Sequence, residues 1–112
     1  MANIHRGEVD IELAGKLYLL RPTFQSICEL ENKAGCNLYH LARRFEDGTF
    51  TLFDITCVIW SGIRGTLGMS APDFENIGNH IVESGIASIV APVYDYIAGC
   101  LGVRIEHKHD AK

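Results

Sequence analysis

Between Leu52 and Arg64 apolar side chains fall on every side of a helix: Phe53, Ile55, Cys57, Val58, Ile59, Trp60 and Ile63. A helix that is apolar all round persists in water only when other elements wrap it. In a chain of 112 residues this segment is therefore expected at the centre of a single domain, 1–112. Thr51-Leu52-Phe53-Asp54 has the spacing of a capping box and marks where the helix starts. Gly62, Gly65 and Gly68 are expected to break it near Arg64.

The N-terminal segment has a different period. Val9, Ile11 and Leu13 alternate with Glu8, Asp10 and Glu12, as in a strand with one face buried. Gly15 supplies a turn, and Lys16 to Arg21 is rich in strand formers. A hairpin over about 7–21 follows. A two-residue turn would place Tyr18 and Leu20 with the Val9 row; a three-residue loop would place Leu17 and Leu19 there instead.

Helices are expected over about 23–102. Thr23 caps the first, with Phe24, Ile27, Cys28 and Leu30 as its stripe and Gly35 beyond its end. Asn37 caps a second bearing Leu38, Leu41, Ala42 and Phe45, and Gly48 stops it. Ser70-Ala71-Pro72-Asp73 repeats the capping-box spacing, with Pro72 in a first turn and Phe74, Ile77, Ile81 and Val82 as the stripe. The last helix carries Ile89, Val93, Ile97 and Leu101; Pro92 falls in its first turn if Ser88 caps it. The charged tail, 103–112, is expected to fray. The fold class is α+β: one N-terminal β-hairpin packed on a bundle of about five α-helices.

Composition and charge remove several functions. With 47% hydrophobic residues the chain is not a disordered one. Its longest charge-free run, Ser84 to Tyr94, is 11 residues, short of a membrane span, and the polar Met1 to Asp10 does not read as a secretory signal. The net charge is −4, and residues 71–102 hold Asp73, Glu75, Glu83 and Asp95 without a Lys or Arg. Neither a nucleic-acid binder nor an anionic membrane surface fits that distribution. A helix-turn-helix over 53–84 would offer an acidic recognition helix, so a small DNA-binding regulator is the weakest alternative. Gly62 to Gly68 lacks the Lys-Ser/Thr ending of a phosphate loop. His107 and His109 could chelate only weakly, on a tail expected to be mobile, and no Gly-x-Ser-x-Gly elbow occurs. No enzyme, metal or cofactor is expected. Cys28, Cys57 and Cys100 sit among apolar neighbours and are expected to be buried, reduced thiols; Glu29 and Lys33 have the spacing of an exposed helical ion pair.

Certain strings carry a resemblance. They are Asn3-Ile4-His5-Arg6-Gly7-Glu8-Val9, then Leu13 through Phe24, Leu30-Glu31 ahead of Gly35, Leu38 through Phe45, and Ser61-Gly62-Ile63-Arg64-Gly65. Over about residues 3–101 the chain resembles the small tail-assembly family of gene transfer agents and long-tailed phages, labelled either tail tube protein or tail assembly chaperone. Ala14-Gly15 departs from the Asp-Gly type of turn usual there. The resemblance implies a non-enzymatic protein of the bacterial host cytoplasm that holds the tape-measure protein during tail assembly. Tail tube subunits are a further partner, and self-association is left open. The alternative it implies is a structural tube component retained in the particle. Phe53, Trp60, Ile63, Phe74 and Ile81 are the apolar contact candidates, and His5, Arg6 and Glu8 are candidates at the hairpin end.

Overall fold

The structure is a computed structural model and describes residues 2–102. The tail expected to fray, with His107 and His109, lies outside the described residues.

Strands β1 (Val9–Leu13) and β2 (Lys16–Leu20) pair antiparallel, with Val9 opposite Leu20, Ile11 opposite Tyr18 and Leu13 opposite Lys16. The turn is the two-residue one. Ala14 and Gly15 stand at φ 50° and 80°, the left-handed pair that matches the twist of a tight hairpin. Ile11, Leu13, Tyr18 and Leu20 consequently share the buried face, while Asp10, Glu12 and Leu17 face outward.

Five helices follow: α1 (Phe24–Ala34), α2 (Leu38–Asp47), α3 (Leu52–Leu67), α4 (Phe74–Ser84) and α5 (Val90–Cys100). Hairpin and helices make the expected α+β fold. Helix α3 is the hub, packing against β2, α1, α4 and α5. Its capping box is formed: Thr51 Oγ1 accepts from Asp54 N at 3.0 Å, and Thr51 N donates to Asp54 Oδ2 at 3.0 Å. Asp54 is buried, and its other carboxylate oxygen accepts from Arg44 Nη1 of α2 at 2.8 Å. One residue thus caps α3 and ties α2 to it.

The glycines of α3 do not end it. The helix runs through Gly62 and Gly65 to Leu67 because both face β2. Arg21 N donates to Gly62 O at 3.0 Å, Thr66 Oγ1 donates to Leu19 O at 2.9 Å, and a Cβ on Gly65 would stand 1.9 Å from the Arg21 carbonyl oxygen. The missing side chains let helix and strand backbones touch.

Three helix starts and stripes differ from expectation. In α1 the capping box turns Ser26 inward, where its hydroxyl donates to the Thr23 and Arg21 carbonyls. Leu30 and Ser26 are then buried, Phe24 is 86% exposed, and Cys28 is exposed as well. In α4 the cap is Asp73, accepting from Asn76 N at 2.8 Å, so Pro72 precedes the helix and Ser70 lies in a 3-10 turn. Val82 turns out to solvent. In α5 no side chain caps the start: Ser88 donates to Gly85 O in a 3-10 turn, yet Pro92 still falls in the first helical turn. There its absent N–H would have had no helical acceptor.

All four thiols are free. Burial pushes the thiol of Cys57 up to about 12 and that of Cys100 likewise to about 12, so both stay protonated near neutrality. With iodoacetamide at pH 8, Cys28 is expected to be alkylated first and Cys57 only after denaturant is added. Peptide mass analysis over time checks the order, and equal rates at the two sites would contradict the placement.

Candidate partner-binding surface

Helix α3 buries most of its circumference, and its remaining stripe reaches the surface beside α1 and α4. Phe53 and Trp60 lie seven residues apart, two turns along one face. Phe74, the first residue of α4, fits between them. Its ring centroid is 5.3 Å from Phe53 in a tilted contact and 5.9 Å from Trp60 edge-to-face. Both geometries suit aromatic quadrupoles. Phe53 is 49% exposed, and Trp60 and Phe74 are half-buried.

Cations frame this cluster. Lys33 Nζ stands 4.6 Å from the Phe74 centroid and 5.3 Å from that of Trp60, and the Arg64 guanidinium is 5.3 Å from the Trp60 centroid. Each such contact stabilises by about 0.5–1 kcal/mol at an exposed site. Arg64 is held by Glu29, whose carboxylate accepts from Nε at 2.7 Å and from Nη2 at 3.1 Å. This forked pair keeps the Glu29 carboxyl below its ordinary range and raises the guanidinium. Lys33, expected opposite Glu29, is instead free of it and lies over the rings. Beyond the pair, Glu29 and Arg64 line a cleft of about 200 Å³ with Thr23, Gln25, Ser26, Gly68 and Met69. Met69 is 92% exposed. Aromatic face and cleft form one surface joined at Arg64.

The candidates divide accordingly. Phe53, Trp60 and Phe74 come together on this surface. Ile63 and Ile81 do not: both are fully buried core residues and offer no surface in the folded chain. His5 and Arg6 are exposed in a 3-10 turn over Ile4–Arg6, remote in sequence from the aromatic face. Glu8 is also a correction. It is 5% exposed, accepts from Asn3 N at 2.9 Å, and lies between Arg6 Nε at 3.6 Å and Arg21 Nε at 3.5 Å. It fastens the N-terminal turn to the end of β2 rather than offering an edge contact. Lys33 and Arg64 join the site, although spacing along the chain pairs Lys33 with Glu29 and gives Arg64 no partner. The partner of Arg64 lies 35 residues away.

The family described as phage tail tube protein, GTA-gp10, matches residues 6–102. The chain belongs to this family. It is thus a protein of the tail of phages or gene transfer agents. No curated protein and no solved structure matches the chain. The family match spans the hairpin and all five helices, so the aromatic surface lies inside it. No single helix among the described residues is long and apolar enough to cross a membrane.

Proposed function

We propose that this tail protein acts as an assembly chaperone, holding an amphipathic helical segment of the tape-measure protein on the Phe53–Trp60–Phe74 surface. The observation behind this reading is the half-open aromatic cluster beside an otherwise closed core. A helix laid along it would cover Phe53 and place apolar residues at three- and four-residue spacing on the rings. Lys33 would meet an acidic side chain at the rim, which favours reversible, rate-tuned capture. His5 and Arg6, exposed at the hairpin end, would serve as a secondary contact. A chaperone of this kind works in the cytoplasm of the bacterial host and leaves before the tail is finished; tube subunits are a further partner.

The family's own description favours a second reading, a tube component retained in the particle. Against it stands the strand content among the described residues: one hairpin of two five-residue strands, little with which to line a tube.

Co-expression with the tape-measure protein separates the readings. The wild-type chain is expected to bring the tape-measure product into the soluble fraction and co-purify with it. Phe53→Ser with Phe74→Ser is expected to reduce that yield about tenfold, as loss of central aromatic anchors does. Finished tails should lack the chain. Its retention there at high stoichiometry, with no effect on tape-measure solubility, would establish the structural role instead.

A further inference from the structure

The two outer edges of the hairpin are treated differently. In a two-residue hairpin the residues flanking the turn exchange ladder hydrogen bonds, and every second pair after them does too. Leu13/Lys16, Ile11/Tyr18 and Val9/Leu20 are therefore the bonded pairs, and the backbone groups of Leu17, Leu19, Arg21, Asp10 and Glu12 point away from the ladder. On β2 the edge is engaged along its C-terminal half, where Leu19 O accepts from Thr66 Oγ1 and Arg21 N donates to Gly62 O. On β1 the outward N–H and C=O of Asp10 and Glu12 have no backbone or side-chain partner among the described residues.

That edge borders an open groove rather than flat surface. The groove, about 510 Å³, runs between β1 and the α4–α5 junction, with Asp10, Ile11 and Glu12 on one side and Glu83, Ser84 and Pro92 on the other. Ser84 closes its end, accepting from Ala14 N at 2.7 Å. The wall is acidic: Asp10, Glu12 and Glu83 line it, and no Lys or Arg does. Asp10 Oδ2 accepts from Ala2 N at 3.2 Å, and neither Glu12 nor Glu83 has an ion-pair partner among the described residues. Native proteins commonly cover, charge or shorten a free strand edge. Here the charges have one sign and stand beside room for another chain.

We propose that the outer edge of β1 takes an extended, lysine- or arginine-bearing segment of a partner protein, which joins the hairpin as a third strand. Asp10 and Glu12 supply the backbone donors and acceptors. Their carboxylates meet basic side chains on the outer face of the sheet, and apolar residues of the incoming strand alternate toward Ile89 and Pro92. A second copy pairing through its own β1 is the wrong occupant, because two rows of Asp10 and Glu12 would then oppose each other. This groove shares no residue with the aromatic surface, so the inference stands apart from the tape-measure reading.

The test uses the full chain, labelled with nitrogen-15, and a capped heptapeptide alternating lysine and valine. In the free protein the Asp10 and Glu12 amides are expected to exchange rapidly. Adding the peptide should slow both about tenfold or more, as strand pairing protects edge amides. A peptide alternating glutamate and valine should leave them unchanged, and so should the lysine peptide N-methylated at alternate residues. Glu12→Lys with Glu83→Lys, both at exposed positions, should weaken binding of the lysine peptide about tenfold. Three results would overturn the proposal: amides already protected in the dilute free protein, protection that rises with the concentration of the protein alone, or equal binding of the acidic or methylated peptides.

Discussion

Gly65→Ala is expected to destabilise the protein by about 3 kcal/mol, although alanine is the better helix former by about 1 kcal/mol. The reason is the 1.9 Å separation between a Cβ there and the Arg21 carbonyl oxygen. That oxygen is backbone, so relief requires α3 to lift off β2. Lifting would stretch the Arg21–Gly62 and Thr66–Leu19 hydrogen bonds as well. With a urea slope near 1.5 kcal/mol per molar, the unfolding midpoint should fall by about 2 M. Gly78→Ala supplies the opposite sign. Gly78 lies within α4, and a Cβ there would sit 3.6 Å from Thr56 Cγ2, an ordinary contact. That variant should gain about 0.5–1 kcal/mol. If both substitutions shifted the midpoint in the same direction, close backbone approach would not be what Gly65 provides.

Ile63→Ala and Ile81→Ala are expected to cost about 2–5 kcal/mol each, the range for truncating a buried isoleucine. Both side chains are fully enclosed. Phe53→Ser, at a 49% exposed position that also contacts Phe74, should cost less, about 1–2 kcal/mol. Chemical denaturation of the three variants beside the tape-measure solubility assay separates core from surface. The isoleucine variants should lose client yield only in proportion to the fraction unfolded. Phe53→Ser should lose it while fully folded. A Phe53→Ser protein that held its client as well as the parent would remove the aromatic surface from the proposed role.

Much of the framework was legible because it depends on local chemistry. The Val9–Leu13 alternation and the Thr23, Asn37 and Thr51 caps concern groups within a few residues of each other, and all are formed. The apolar face of α2 was read correctly for the same reason: Leu38, Leu41, Ala42 and Phe45 leave only one side to bury. Where apolar residues cover a helix all round, periodicity cannot say which of them reach the surface. That ambiguity put Ile63 with Phe53 and Trp60. Phe24 reads as core by its apolar side chain, yet the inward hydroxyl of Ser26 turns it to solvent. The glycines of α3 read as breaks, although Gly62 and Gly65 stand three apart on one face, the spacing of a docking surface. Glu29 bonds to Arg64 rather than Lys33 because α1 lies beside α3, a fact of tertiary packing that no helical spacing encodes.

One close approach bears on how the protein is made. Gly99 in α5 packs against Gly7, just ahead of β1; a Cβ on Gly99 would meet the Gly7 Cα at 3.1 Å. About ninety residues separate the two, so a ribosome adding roughly 5–20 residues per second needs about 5–20 seconds to deliver the helix after the strand. Throughout that interval part of the oily face of the newborn hairpin has no lid. The hairpin thus passes through an unshielded stage at birth, and the protein's yield in cells should depend on translation speed across the last two helices.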